Sequence, residues 1–342
     1  MHLTALILFT SGMLSDPFVD TRTDSLIRIG IELSIRQRYE QAIEIFRKLE
    51  ASDATNPVGF FFHAAVLQAR MMDYEDYRDE ATFRALIDTT IDLAKQRLRK
   101  HKNDPLAYFC LGGGYAYLAF YQAKDNRLIE AFRNGRRSVQ ALKAALRADS
   151  TLYDAYLGLG TYTYYRSKLS RHFAWLPFVG DDRAEGLRML RLAIEKSRYS
   201  RWSAINGYFW IALEEGQLEE AERWLRPARR RFPESRVFLW CAAKLAVRQQ
   251  RWHDAVTYFN QILESHRAGG TLRPYNELVC RKNLSQSYYQ LGDYARAQEQ
   301  CRRLQKIQLD AETLRRHPDA WKEVERVCDE LSREIVTGAG LR

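Results

Sequence analysis

Small and large apolar residues recur along this chain at a fixed phase. Ala221 is followed by Leu225 and Ala228, and Ala255 by Phe259 and Ile262, so the two sets stand 34 residues apart. Positions i, i+4 and i+7 fall on one side of an α-helix. Ala297, Cys301 and Leu304 repeat the phase, as do Ala42, Phe46 and Leu49. Twelve residues before Ala297 stands Ser285, and twelve before Ala42 stands Gly30. The spacing predicts helical hairpins. A small residue lets the second helix approach the first, and the large residue one turn later fills the gap. Pro233, twelve residues beyond Ala221, stops that helix before the next hairpin opens.

These four blocks resemble the tetratricopeptide-repeat family, whose period is 34 residues. The resemblance implies an all-α, right-handed superhelical solenoid of antiparallel helix pairs, with a concave groove lined by each first helix. Three longer units depart from the period. One runs from Pro57 to His101 and carries an acidic, tyrosine-bearing insertion from Met71 to Ala81. The next, Pro105 to Ala148, contains Gly112-Gly113-Gly114. The third, Tyr153 to Ser197, contains Leu159-Gly160-Thr161-Tyr162 and resumes the phase at Gly186, Leu190 and Ala193. About seven helix pairs result, over residues 21–308. Residues 309–342 hold a last helix, Ala320 to Ile335, read as the polar-faced cap that a solenoid end requires. The segment 166–186 resembles a feature of an uncharacterised group of long bacterial tetratricopeptide proteins, and that resemblance implies no chemistry.

The N-terminus admits two readings. Leu3 to Phe9 is a short apolar run followed by Thr10, Ser11 and Gly12, and no Lys or Arg precedes it. Residues 1–20 are either a leader that directs export, for example to a periplasm, or a first helix packed on the solenoid end of a cytoplasmic protein. The run is too short to span a bilayer.

Composition adds two points. Lys and Arg number 53 against 43 Asp and Glu, a net charge of +10. An acidic protein, an anionic membrane or a nucleic acid would be attracted, although carboxylates are interleaved with the cations. The five Cys form no C-x-x-C pair and no zinc spacing, so buried thiols are the ordinary reading. Cys280 and Cys301 are the two that a helical hairpin could bring face to face.

Searches for chemistry yield little. No phosphate-loop, dinucleotide-binding, nucleophile-elbow or metalloprotease motif occurs, and the glycine triplet has neither a preceding strand nor a following Lys. No cofactor or metal is implied, and no catalytic residue is assigned. One alternative places an enzymatic or carbohydrate-handling site at the 166–186 insertion, on His172, Trp175, Asp181, Asp182 and Arg183. It requires those side chains to converge. The competing reading of the acidic pair is a helix N-cap.

The leading expectation is a binding scaffold. Counting along the first helices, the groove should present Tyr164, Asn206, Trp210 and Trp240, then Lys244, Lys282, Gln286 and Tyr289. Aromatics, amides and cations in that arrangement suit an extended peptide or an acidic tail. Trp210 and Trp240 have a competing reading as packing between repeats.

Overall fold

The computed structural model describes residues 20–170 and 181–337. Among the described residues the chain forms sixteen helices and no strand. Consecutive helices pack as neighbours: α1 (Thr21–Ile35) with α2 (Tyr39–Ser52), α3 (Pro57–Tyr74) with α4 (Glu80–Lys100), α5 (Pro105–Lys124) with α6 (Leu128–Ala148), and α7 (Ala155–Ser170) with α8 (Arg183–Lys196). The series continues with α9 (Arg201–Glu214) and α10 (Leu218–Arg231), α11 (Arg236–Arg248) and α12 (Trp252–Ala268), and α13 (Pro274–Gln290) and α14 (Tyr294–Leu304). A single short turn, α15 (Ala311–Arg316), leads to α16 (Ala320–Thr337), which packs on α13 and α14. Each first helix also touches a neighbouring first helix, from α1 against α3 through α9 against α11. That stacking makes the chain a helical solenoid. Residues 1–19, including most of the leader segment, lie outside the described residues.

Local signals set the boundaries. Pro57 and Pro105 open α3 and α5, where a missing amide hydrogen costs nothing, and the side chains of Asn56 and Asp104 cap the amides that follow. Five hairpins turn through a residue in the left-handed region. Gly216 and Gly292 each have φ 75°, while Gln37, Asn126 and Gln250 adopt φ of 58°, 59° and 58° at the equivalent places. The turn is thus the same whether or not glycine occupies it, at a cost of roughly 1 kcal/mol for each side chain.

The apolar phase is the core. Ala42, Phe46, Ala221, Leu225, Ala255 and Phe259 are all buried. Gly30 faces Phe46, whose ring leaves no room for a Cβ. The glycine triplet lies inside α5, where its three members face three different neighbours: Gly112 meets Leu142, Gly113 meets Phe61 and Gly114 meets Ile91. Close packing on three sides, rather than phosphate binding, accounts for it.

One large feature was absent from the repeat pattern. The acidic insertion after α3 joins the N-terminal pairs to the far end of the chain. Asp73 is buried and receives Arg236 Nε at 2.9 Å, Tyr39 Oη at 3.1 Å and, through its carbonyl, Asn276 Nδ2 at 2.9 Å. Asp76 pairs with Arg273, Glu80 with Arg316, and Glu75 with His317. Upstream, the buried Asp24 accepts from Tyr199 Oη at 2.8 Å, and Glu32 pairs with Arg231 at 2.9 Å. Thus α1 and α3 lie along the turns that join α8 to α9, α10 to α11 and α12 to α13. The solenoid is clasped onto itself.

One expectation needs correction. Cys301 is bonded to Cys328, with Cα atoms 5.8 Å apart, which staples α16 to α14; Cys280 is a buried free thiol. The hairpin between α13 and α14 does not orient Cys280 towards Cys301, because Cys280 packs with Leu284 and Ala297 while Cys301 sits with Val324 and Leu331. The acidic pair does serve the start of α8: Asp182 occupies the N-cap without a side-chain capping bond, and Asp181 accepts from the Arg183 backbone amide at 3.1 Å.

Candidate partner-binding face

First helices α7, α9, α11 and α13 present the face on which the groove residues were expected. Tyr164 is not part of it. Its side chain is fully buried, and its hydroxyl donates to Glu215. The cause is the close crossing of α7 and α8, where Gly160 and Gly186 approach so nearly that an added Cβ would lie 2.8 Å from backbone atoms. Tyr164 stands four residues after Gly160 and therefore shares the inward side. One residue on, and about 100° further round the helix, Tyr165 is 41% exposed. Tyr165 is the exposed residue of this turn, and the glycine spacing was the signal that could have found it.

On α9, Trp210 is 37% exposed and donates from Nε1 to Asn206 Oδ1 at 3.1 Å. Asn206 Oδ1 also receives the Cys241 thiol at 3.4 Å, which links α9 to α11. Trp240 behaves differently. It is partly buried and packs edge-on against Phe259, 5.9 Å away, so the packing reading holds for it. Lys244 donates from Nζ to Asn283 Oδ1 on α13 at 3.1 Å. Lys282 pairs with Glu323 of α16. Gln286 is exposed, and Tyr289 packs against Tyr294 with ring centroids 5.5 Å apart. The residues brought together are therefore Asn206, Lys244 and Lys282, in a row across three successive first helices, with Trp210 and Tyr165 at one end. Asn283 and Glu323 belong to that row and had no signal in the repeat phase.

The electrostatics of the row centre on Lys244. Burial, reinforced by the neighbouring Lys282, pushes its pKa down to about 8. Among the described residues no carboxylate forms an ion pair with it. Desolvation without a counter-ion is an unfavourable position for an ammonium group, and a carboxylate brought to it from outside would relieve that cost.

At the 166–186 insertion, His172 and Trp175 lie outside the described residues. The other three side chains do not form a paired-carboxylate site. Asp181 accepts from the Arg183 backbone amide at 3.1 Å and from its guanidinium at 2.7 Å. Asp182 instead pairs with Arg166. Arg183 reaches on to Glu215 at 3.2 Å. Each carboxylate is held by a different arginine. Among the described residues there is no cluster of His, Cys, Asp and Glu suited to a metal, and no helix long and apolar enough to cross a membrane.

Comparison with known proteins agrees with this architecture. The model of the Iml2/Tetratricopeptide repeat protein 39 family matches residues 167–308. Cut9, in the Cut9–Hcn1 hetero-tetramer of the APC/C, is similar in structure with a TM-score of 0.55 at 12% identity, over 92% of this chain and 56% of that one. The C-terminal part of a tetratricopeptide-repeat protein from Cytophaga hutchinsonii aligns at 15% identity with a TM-score of 0.44, over 85% of this chain and 98% of that one. Yeast Tom70 aligns at 12% identity with a TM-score of 0.41, over 90% and 66%. No curated protein matches the sequence.

Proposed function

We propose that this tetratricopeptide-repeat chain is a non-catalytic scaffold that holds an extended, acidic stretch of another protein on the face formed by α7, α9, α11 and α13. The observation that carries the reading is Lys244. It is a desolvated cation with no ion-pair partner among the described residues, hydrogen-bonded to Asn283 and carried on the first helix next to that of the exposed Trp210. A carboxylate of the partner would pair with Lys244, and Trp210 and Tyr165 would supply apolar contact area.

Export to an oxidising compartment is part of the proposal. The Cys301–Cys328 bond supports it, since such bonds persist there and are reduced in the cytosol.

The test is capture from a lysate of the source organism by wild type beside Tyr165→Ala with Trp210→Ala, and beside Lys244→Met. Lys244→Met removes the buried charge without adding bulk, so the fold is kept, as circular dichroism will verify. A protein captured by wild type and lost by both variants supports the reading. Capture that is unchanged in both rejects it.

A further inference from the structure

We infer that the outward face of α6, with the turn that precedes it, is a docking surface for an anionic lipid membrane. The observation is the composition of that face. On the exposed side of α6 stand Leu128, Ile129 and Phe132, followed by Arg133, Arg136, Arg137, Lys143 and Arg147. Ile129 is 75% exposed. The only carboxylate of α6 is Glu130, which is taken up by Arg127 at 3.1 Å.

Elsewhere several exposed arginines find an acid three or four residues off, Arg188 with Glu185, Arg223 with Glu220 and Arg303 with Glu299. Helix α10 also carries exposed arginines, Arg226 and Arg230, but with Glu219, Glu220 and Glu222 on the same helix. Among the described residues Arg133, Arg136, Lys143 and Arg147 form no ion pair. The stripe extends over the length of α6, about 30 Å. Among the described residues Glu130 is the one carboxylate of α6 that faces these cations, so the stripe attracts an anionic partner.

The apolar end decides which anion. Leu128, Ile129 and Phe132 project from a hairpin tip, and the depression between Ile129, Phe132 and the arginines is shallow and open, with a volume of about 340 Å³. Bases stack on flat rings, which Leu128 and Ile129 lack, so a single-stranded nucleic acid gains little from them. A partner helix packs along a continuous apolar stripe, and here the exposed apolar residues are confined to the first five positions of α6. A membrane interface accepts both parts. Apolar side chains enter the acyl boundary, and arginines hold lipid phosphates. The buried side of α6 is fixed by Ser138, Ala141, Leu142 and Ala145 against its neighbours, so the face is presented as a rigid unit.

The test is co-sedimentation of the full chain with vesicles of pure phosphatidylcholine and of phosphatidylcholine with phosphatidylglycerol. Binding should be at least about tenfold tighter to the anionic vesicles and should weaken with salt. The triple variant Arg133→Glu, Arg136→Glu, Lys143→Glu should lose it. Leu128→Ser with Ile129→Ser should weaken binding several-fold while keeping the salt dependence. All five side chains are exposed, so folding is preserved. Equal binding to neutral vesicles overturns the inference, as does binding indifferent to the triple variant. If the apolar variant binds like wild type and single-stranded RNA or polyglutamate displaces the vesicles, the face serves a soluble polyanion and the membrane assignment is wrong.

Discussion

The clasp makes a quantitative prediction through its buried ion pair. Asp73 and Arg236 are 163 residues apart in sequence, and their side chains are only 3% and 7% accessible. Arg236 also donates to Ser265 Oγ at 2.9 Å and lies over the Tyr74 ring, 5.7 Å from its centroid. Removing the carboxylate by Asp73→Leu leaves a guanidinium in an apolar setting with one hydroxyl as acceptor, and orphans the Tyr39 hydroxyl. Breaking a buried pair from one side costs roughly 3–5 kcal/mol, because the remaining charge stays desolvated. Replacing both partners, Asp73→Leu with Arg236→Met, should restore stability to within about 1–2 kcal/mol of wild type, since the pair itself contributes little net. The assay is urea unfolding followed by circular dichroism, with amide exchange read segment by segment. Asp73→Leu should speed exchange both near residues 73–80 and near 265–276, which only the clasp connects. A single-variant loss below about 1 kcal/mol, a double variant no better than the single, or exchange confined to the mutated side would refute the reasoning.

Other expectations follow from particular residues. Burial pushes the His266 pKa down to about 4 from an ordinary 6.5. The unfolded chain therefore takes up this proton first, so stability is full above about pH 6.5 and falls as the pH drops towards 4, by on the order of 3 kcal/mol; His266→Gln should flatten that part of a pH–stability curve. Gln250 sits at φ 58° in a turn that Gly216 and Gly292 make elsewhere, so Gln250→Gly should stabilise by about 0.5–1 kcal/mol in thermal unfolding. The Cys301–Cys328 bond closes a loop of 27 residues. Its reduction should cost about 3 kcal/mol, visible as faster exchange in α16 while α1 to α12 are unchanged.

The repeat was legible because close packing of two helices needs a small residue opposite a large one, and that demand is local. Ala221 and Leu225, Gly30 and Phe46, and the glycine triplet of α5 all carried it. Tyr164 shows how narrow the margin is. A phase counted from the apolar run chose it for the groove, whereas the phase counted from Gly160 places it inside and turns Tyr165 outwards. What pairs with what across long distances was not legible. Asp73, Asp76 and Glu80 read only as part of an acidic, tyrosine-bearing insertion, and it is the curvature of the stacked pairs that brings Arg236, Arg273 and Arg316 to them. The disulfide is a similar case. Cys328 shares a helix face with Val324 and Leu331, and Cys301 with Ala297 and Leu304, so both were recognisable as inward. Their meeting depends on where α16 docks.

The most direct test of the scaffold proposal is site-specific photocrosslinking in cells of the source organism. A photoreactive residue at position 210 is compared with one at Arg226, an exposed position on α10. The account predicts one discrete adduct with a second protein from position 210, none from position 226, and an acidic segment at the crosslinked site of the partner. Adducts that form equally from both positions, or only from position 226, would contradict it.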